Sequence, residues 1–130
     1  MKVAIFLQAR MGSTRLPGKA LETLCGMSVL EMLLGKLARV RNASHIVLVT
    51  GKHPENDPLE AVARRLGVPV FRGAEENTLD RFVQATRQYQ PDAIVRVTAD
   101  CPLIDPELID EGIRLFCEQD VDFLGNTGIL

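Results

Sequence analysis

Lys2-Val3-Ala4-Ile5-Phe6-Leu7-Gln8 runs without a break into Ala9-Arg10-Met11-Gly12-Ser13-Thr14-Arg15-Leu16-Pro17-Gly18-Lys19. Between Lys2 and Gln8 the residues are continuously apolar, the pattern of a strand covered on both faces. Such strands belong to mainly parallel sheets, which take their ligands at the carboxyl ends of the strands. The eleven residues from Ala9 to Lys19 then supply three cations, two hydroxyls and two glycines. Glycines let backbone approach a ligand, and fixed N–H groups in a turn form an anion-binding concavity. Arginine adds donors suited to phosphate. A solvated surface loop can have the same composition; the position after an apolar first strand favours the anion-binding reading.

The loop is not a Walker A loop, because Gly12 and Gly18 are separated by five residues and Lys19 is followed by Ala20. That motif needs four residues and a hydroxyl after the lysine. The dinucleotide fingerprint G-x-G-x-x-G is absent as well.

Outward from this loop, strands and helices alternate. Ser28-Val29-Leu30-Glu31 has capping-box spacing, and the helix it opens carries Val29, Leu33, Leu37 and Val40 on one face, ending near Arg41-Asn42. His45–Thr50 reads as a second strand. Asp57 is placed as a cap with Pro58 at the first helical position; Gly67 ends that helix, and Val68–Phe71 makes a third strand. Asn77 caps a helix from Thr78 to about Tyr89, with Leu79, Phe82, Val83 and Thr86 inward. Ala93–Val97 is a fourth strand, Asp105-Pro106 starts a fourth helix, and Val121–Leu124 can form a fifth strand. The expected fold is therefore three-layer α/β/α, one domain over residues 1–130, with a mainly parallel, doubly wound sheet.

Bulk properties narrow the function. The net charge of −2 and the mixing of signs along the chain give no basic footprint for nucleic acid. The early apolar run is too short for a signal peptide or a membrane span, so a cytoplasmic protein with no membrane partner is expected. Cys25, Cys101 and Cys117 have no metal-ligand or disulfide spacing, and His45 and His53 are not spaced as a helical zinc pair.

Gln8 to Lys19 resembles the opening signature of the CMP-sugar cytidylyltransferases, which include the CMP-Kdo and CMP-acylneuraminate synthetases. The branch named for spore coat polysaccharide biosynthesis is the nearest in pattern. The resemblance continues through Val70-Phe71-Arg72-Gly73, Leu79-Asp80-Arg81 and Arg96-Val97-Thr98-Ala99-Asp100-Cys101-Pro102-Leu103-Ile104. It implies a nucleotide-diphospho-sugar transferase-like fold and transfer of CMP from CTP to a sugar acceptor, with release of pyrophosphate. Arg10, Arg15 and Lys19 are then expected on the phosphates, and Gly12 and Ser13 in the cradle around them. Gln8 and Ala9 are expected to read the base.

Asp100 follows the fourth strand, and the resemblance makes it the ligand of the catalytic metal. Mg²⁺ suits that role, since it takes one or two carboxylates and fills its shell with phosphate oxygens. A plain turn aspartate is the alternative on local chemistry. Asp105 reads first as a helix cap and only second as a ligand. Arg72 leaves the third strand on the ligand side and is a candidate nucleotide contact; Asp80 and Arg81 read first as a surface ion pair. Arg96 either reaches the crevice or pairs with a carboxylate, and Cys101 packs beneath the metal loop. Family members are usually nearly twice as long, so the chain reads as the nucleotide-binding half. That leaves three readings open: a working cytidylyltransferase, an enzyme using another NTP, and a non-catalytic nucleotide-binding module. The sheet edge can also pair with a second copy to give a homodimer.

Overall fold

The N-terminal apolar run becomes an inner strand of a parallel sheet. The computed structural model describes residues 1–12, 19–24, 26–99, 104–119 and 121–125, except the side chains of Lys19 and Leu24. Strand β1 (Val3–Gln8) is hydrogen-bonded on one side to β4 (His45–Gly51) and on the other to β6 (Ala93–Thr98); β5 (Val70–Gly73) lies beyond β4. All three pairings are parallel, in the order β5-β4-β1-β6. A small antiparallel pair, β2 (Thr23–Leu24) with β3 (Met27–Ser28), precedes the first helix and was not anticipated. Gly26, with φ of 83°, lies between its two strands.

Helix α1 (Val29–Leu37) and helix α2 (Asp57–Arg65) cover one face of the sheet, where Leu30, Leu33, Leu37, Leu59 and Ala63 pack on Ile5, Leu7 and Leu48. Ile109 of helix α4 (Pro106–Glu118) packs against the same cluster. Helix α3 (Thr78–Tyr89) covers the opposite face, where Phe82, Ala85 and Tyr89 meet Ala4, Phe6, Val47 and Val49. Each fully buried leucine or phenylalanine contributes about 1.5–3 kcal/mol relative to exposure, and β1 supplies both faces, with Ala4 to Leu7 at 0 % exposure. Hence the absence of polar alternation in that strand. Connections leading from β1 toward β5 use one face and the return to β6 uses the other, as right-handed crossovers require. The direction of winding reverses between β1 and β6, which puts the ligand crevice there.

Several caps form as the sequence predicts. The Ser28 hydroxyl accepts the Glu31 N–H at 3.1 Å, Asn77 caps α3 through Asp80, and Asp105 caps α4 through Glu107. The Glu31 carboxylate turns instead to the Ser28 hydroxyl and to Arg65, so only half of the capping box forms. Gly67, at φ of 75°, ends α2 in a Schellman pattern: its own N–H reaches Arg64 O, and Val68 N–H reaches Ala63 O. Val68 is thus spent on closing the helix, and β5 starts at Val70 rather than Val68.

Other expectations need correction. Helix α1 stops at Leu37, short of Arg41-Asn42, because the backbone N–H groups of both those residues are taken by the Asp110 carboxylate of α4. Asp57 is the first residue of α2 and does not cap it; the N-cap is Asn56, at the end of a 3-10 turn over Pro54–Asn56. On α3, Leu79 and Val83 face outward, at 74 % and 37 % exposure, while Arg81 is fully buried. Residues 121–125 form no strand, and Phe123 is 85 % exposed.

Candidate functional site

The loop that leaves β1 is fastened before it reaches its cationic residues. Ala9 N–H donates to Val49 O of β4, and Ala99 N–H donates to Gln8 O, which ties the chain beyond β6 to the end of β1. Met11 N–H then donates to Asn56 Oδ1 at 2.8 Å. Asn56 is completely buried and gives its other end, Nδ2, to Glu75 Oε1 at 2.9 Å. Asn56 is thus a clamp on Arg10-Met11-Gly12.

Glu75 is the centre of this region. Its Oε1 also accepts the His53 backbone N–H at 2.8 Å, and its Oε2 accepts Arg10 Nη1 at 3.0 Å. The carboxylate occupies the space where a Cβ on Gly51 would stand, so a side chain at the end of β4 would have to displace it. Burial works against the charge on Glu75, but the His53 N–H and then Arg10 outweigh it and hold its pKa below the ordinary carboxylate value.

Arg81 supports the same loop from α3. Its Nε donates to Ala74 O at 2.8 Å and its Nη2 to Glu75 O at 3.0 Å, while Ala74 N–H donates to Gln84 Oε1. Its Nη1 is buried with no hydrogen-bond partner among the described residues. Burial, and after it the nearby Arg10, pulls the Arg81 pKa down from its ordinary value. The surface ion pair expected of Asp80 and Arg81 is therefore not what forms.

Arg72 is tied into the neighbouring loop. Its Nε reaches Gly51 O, its Nη1 reaches Asp57 and Glu60, and its Nη2 reaches the carbonyls of Lys52 and His53. The Asp57 bond, and behind it Glu60, outweighs burial and raises its pKa. All three guanidinium nitrogens donate within the protein. Among the described residues Arg96 meets no carboxylate: its Nε and Nη2 donate to Gln8 Oε1, and it lies 5.7 Å over the Phe82 ring. The candidate base-reading side chain of Gln8 is thus already engaged.

Of the other candidates, Gly12 lies beside the Glu55 carboxylate, with Oε1 2.6 Å from where a Cβ would stand. Lys19 opens a 3-10 turn, Lys19–Leu21. Ser13, Arg15, Asp100, Cys101 and the Lys19 side chain lie outside the described residues. Among the described residues no three His, Cys, Asp or Glu side chains come together as a metal site. No helix among them is long and apolar enough to cross a membrane. An open groove of about 790 Å³ lies between Arg41-Asn42 and the first turns of α4, lined by charges of both signs and by none of the described residues of the loop after β1.

Asn56 and Glu75 escaped the sequence reading. Nothing local distinguishes Glu75 from its neighbour Glu76; the signal is Gly51, whose missing side chain makes room for the carboxylate.

A family model described as cytidylyltransferase matches residues 4–128. The chain is 38 % identical, over 125 residues, to the spore coat polysaccharide biosynthesis protein SpsF of Bacillus subtilis, a match covering 93 % of this chain and 52 % of that protein. It is 31 % identical to a 3-deoxy-manno-octulosonate cytidylyltransferase of Trichlorobacter lovleyi, covering 99 % of this chain and 48 % of that one. A solved cytidylyltransferase from Leptospira borgpetersenii superposes with a TM-score of 0.88 at 39 % identity, covering 92 % of this chain and 50 % of its own. The chain spans about half the length of the curated relatives it matches.

Proposed function

The chain belongs to the cytidylyltransferase family, and from that premise we propose that it binds CTP and supplies the nucleotide half of a transfer of CMP to a sugar in surface polysaccharide synthesis. The observation that supports the reading is the loop after β1, anchored at the carboxyl ends of the strands by Met11 N–H on Asn56 and by Arg10 on Glu75.

In the proposed reaction a sugar oxygen attacks the α-phosphorus of CTP, the new O–P bond forms, and the bond to the β-phosphate oxygen breaks. Pyrophosphate leaves, and the hydroxyl proton of the sugar passes to solvent. The chain's part is positioning and charge neutralisation. Arg10 donates to the polyphosphate from a guanidinium already fixed on one side by Glu75. Arg15, Lys19 and the Ser13 hydroxyl extend the same cradle, and the peptide groups of Gln8 and Ala9 line the base. Arg72 holds the adjoining loop in shape. Asp100, two residues beyond β6, is the carboxylate that would hold Mg²⁺, with the rest of the shell coming from phosphate and water oxygens. When bound, such an ion offsets charge on the phosphate oxygens.

A second reading is nucleotide binding without turnover, in which the chain acts as a binding module or as part of a larger assembly, a homodimer included.

Calorimetric titration with CTP, UTP, GTP and ATP, with and without Mg²⁺, tests the first step. The expected result is selective CTP binding, strengthened by Mg²⁺ and lost in an Arg15→Ala, Lys19→Ala double variant. Equal binding of all four nucleotides removes the cytosine assignment, and no binding by folded protein removes the function. Pyrophosphate release with 3-deoxy-manno-octulosonate as a first acceptor separates enzyme from binding module.

A further inference from the structure

We propose that Arg81 and Glu75 form a positioning relay for Arg10, in which a buried arginine fixes a loop, the loop's carboxylate fixes a second arginine, and that second arginine meets the polyphosphate. The inference rests on the nucleotide-binding reading above and adds two residues to it that touch no nucleotide themselves.

Arg81 is rigid because its planar fork bonds two successive carbonyls, Ala74 O and Glu75 O, from a position with no solvent access. Gln84 accepts the Ala74 N–H that precedes them, so α3 holds the backbone at Ala74-Glu75 through a donor as well as two acceptors. Glu75 is then fixed independently of Arg10. Two donors, His53 N–H and Asn56 Nδ2, converge on its Oε1, and Gly51 lies against the carboxylate. Only Oε2 remains, and it takes a single nitrogen of Arg10.

That arrangement presents Arg10 rather than withdrawing it. A guanidinium has five N–H donors in a plane; fixing Nη1 sets the plane, and among the described residues no acceptor takes the other nitrogens. The side chain keeps 22 % of its surface exposed for the purpose. Asn56 joins the relay to the loop backbone by accepting Met11 N–H, so the side chain and the peptide next to it are set from one hub. Holding a ligand-contacting group from behind in this way preserves binding geometry.

A double-mutant cycle tests the relay. CTP and CMP affinities are measured by calorimetry for the wild-type chain, Glu75→Ala, Arg10→Ala and the double variant, with thermal unfolding as a check on folding. The relay predicts that Glu75→Ala weakens CTP about tenfold more than CMP, a coupling typical of groups in one network. It also predicts no further loss from Glu75→Ala once Arg10 is alanine. Where Glu75→Ala does not fold, Glu75→Gln keeps the shape and one acceptor, and is expected to shift the ratio in the same direction by a smaller factor. Equal losses for both nucleotides, the same loss in the Arg10→Ala background, or tighter CTP binding on removing the carboxylate each overturn the relay. Failure of the wild-type chain to bind CTP at all overturns the nucleotide reading itself, and the relay with it.

Discussion

At the scale of single residues, the site depends on groups buried where a sequence reading expects solvent. Arg81 is the extreme case, a charged side chain at 0 % exposure whose burial is only partly offset by two carbonyl acceptors. Arg81→Met keeps the bulk and strands both carbonyls, and unsatisfied buried polar groups cost about 1–3 kcal/mol. We expect a loss of about 2 kcal/mol in urea unfolding, with Arg81→Lys recovering little because one ammonium cannot reproduce the fork. Wild-type stability in Arg81→Met means that the brace contributes nothing. Gly51 gives a sharper test. Its backbone has no positive φ, so alanine is free of strain there, but the new Cβ collides with the Glu75 carboxylate. Gly51→Ala is therefore expected to displace Glu75 and reproduce the selective loss of CTP predicted for Glu75→Ala. A Gly51→Ala chain that binds CTP as the wild type does shows that the carboxylate is not held where the geometry has it.

At the scale of elements, what could be read beforehand was what neighbouring residues write locally. The continuous apolar run of β1, the Asn77 and Asp105 caps and the Gly67 stop each depend on residues a few positions apart, and each formed. The inward face of α3 could not be read that way. Leu79 and Val83 look like core residues by their chemistry, but the helix is rotated so that Arg81 reaches the carbonyls of Ala74 and Glu75 while Phe82 stacks on Phe6 at 6.0 Å. One polar anchor from the preceding loop thus sets the helix face. The Glu75 hub was hidden for a similar reason, since it exists only once β4 and β5 pair and bring Gly51 opposite Gly73. The rotated helix makes a prediction opposite to the sequence pattern. Leu79→Gln should leave stability within about 0.5 kcal/mol, as for an ordinary surface change. Phe82→Ala, by removing a ring from the Phe6 cluster, should cost about 3 kcal/mol. Thermal unfolding of the two variants side by side decides it, and a large loss in Leu79→Gln would place that residue in the core after all.

At the scale of the whole molecule, the loops at the carboxyl ends of β1, β4 and β5 are joined by charge as well as by packing. Glu75 links the loops after β1, β4 and β5, and Glu60 of α2 takes Arg64 and Arg72, the latter bound in turn to the carbonyls that follow β4. Both carboxylates have lowered pKa values. For Glu60 the Arg64 bond is the main cause and the Arg72 bond the next; for Glu75 burial opposes the shift and is outweighed by His53 N–H and Arg10. A carboxylate that binds its proton more weakly in the fold than in the unfolded chain stabilises the fold fully above its unfolded pKa, and less as the pH falls through its folded one. Unfolding free energy is therefore expected to hold level from neutral pH down to the ordinary carboxylate value near 4.5 and to decline below it. Because Glu75 joins three loops, its share of that decline is a cost to the whole site region. Glu75→Gln should begin less stable at neutral pH and lose less on acidification, so the two curves converge at low pH. Urea titrations at a series of pH values measure both, and parallel curves would mean that the Glu75 charge does not contribute to holding the loops together.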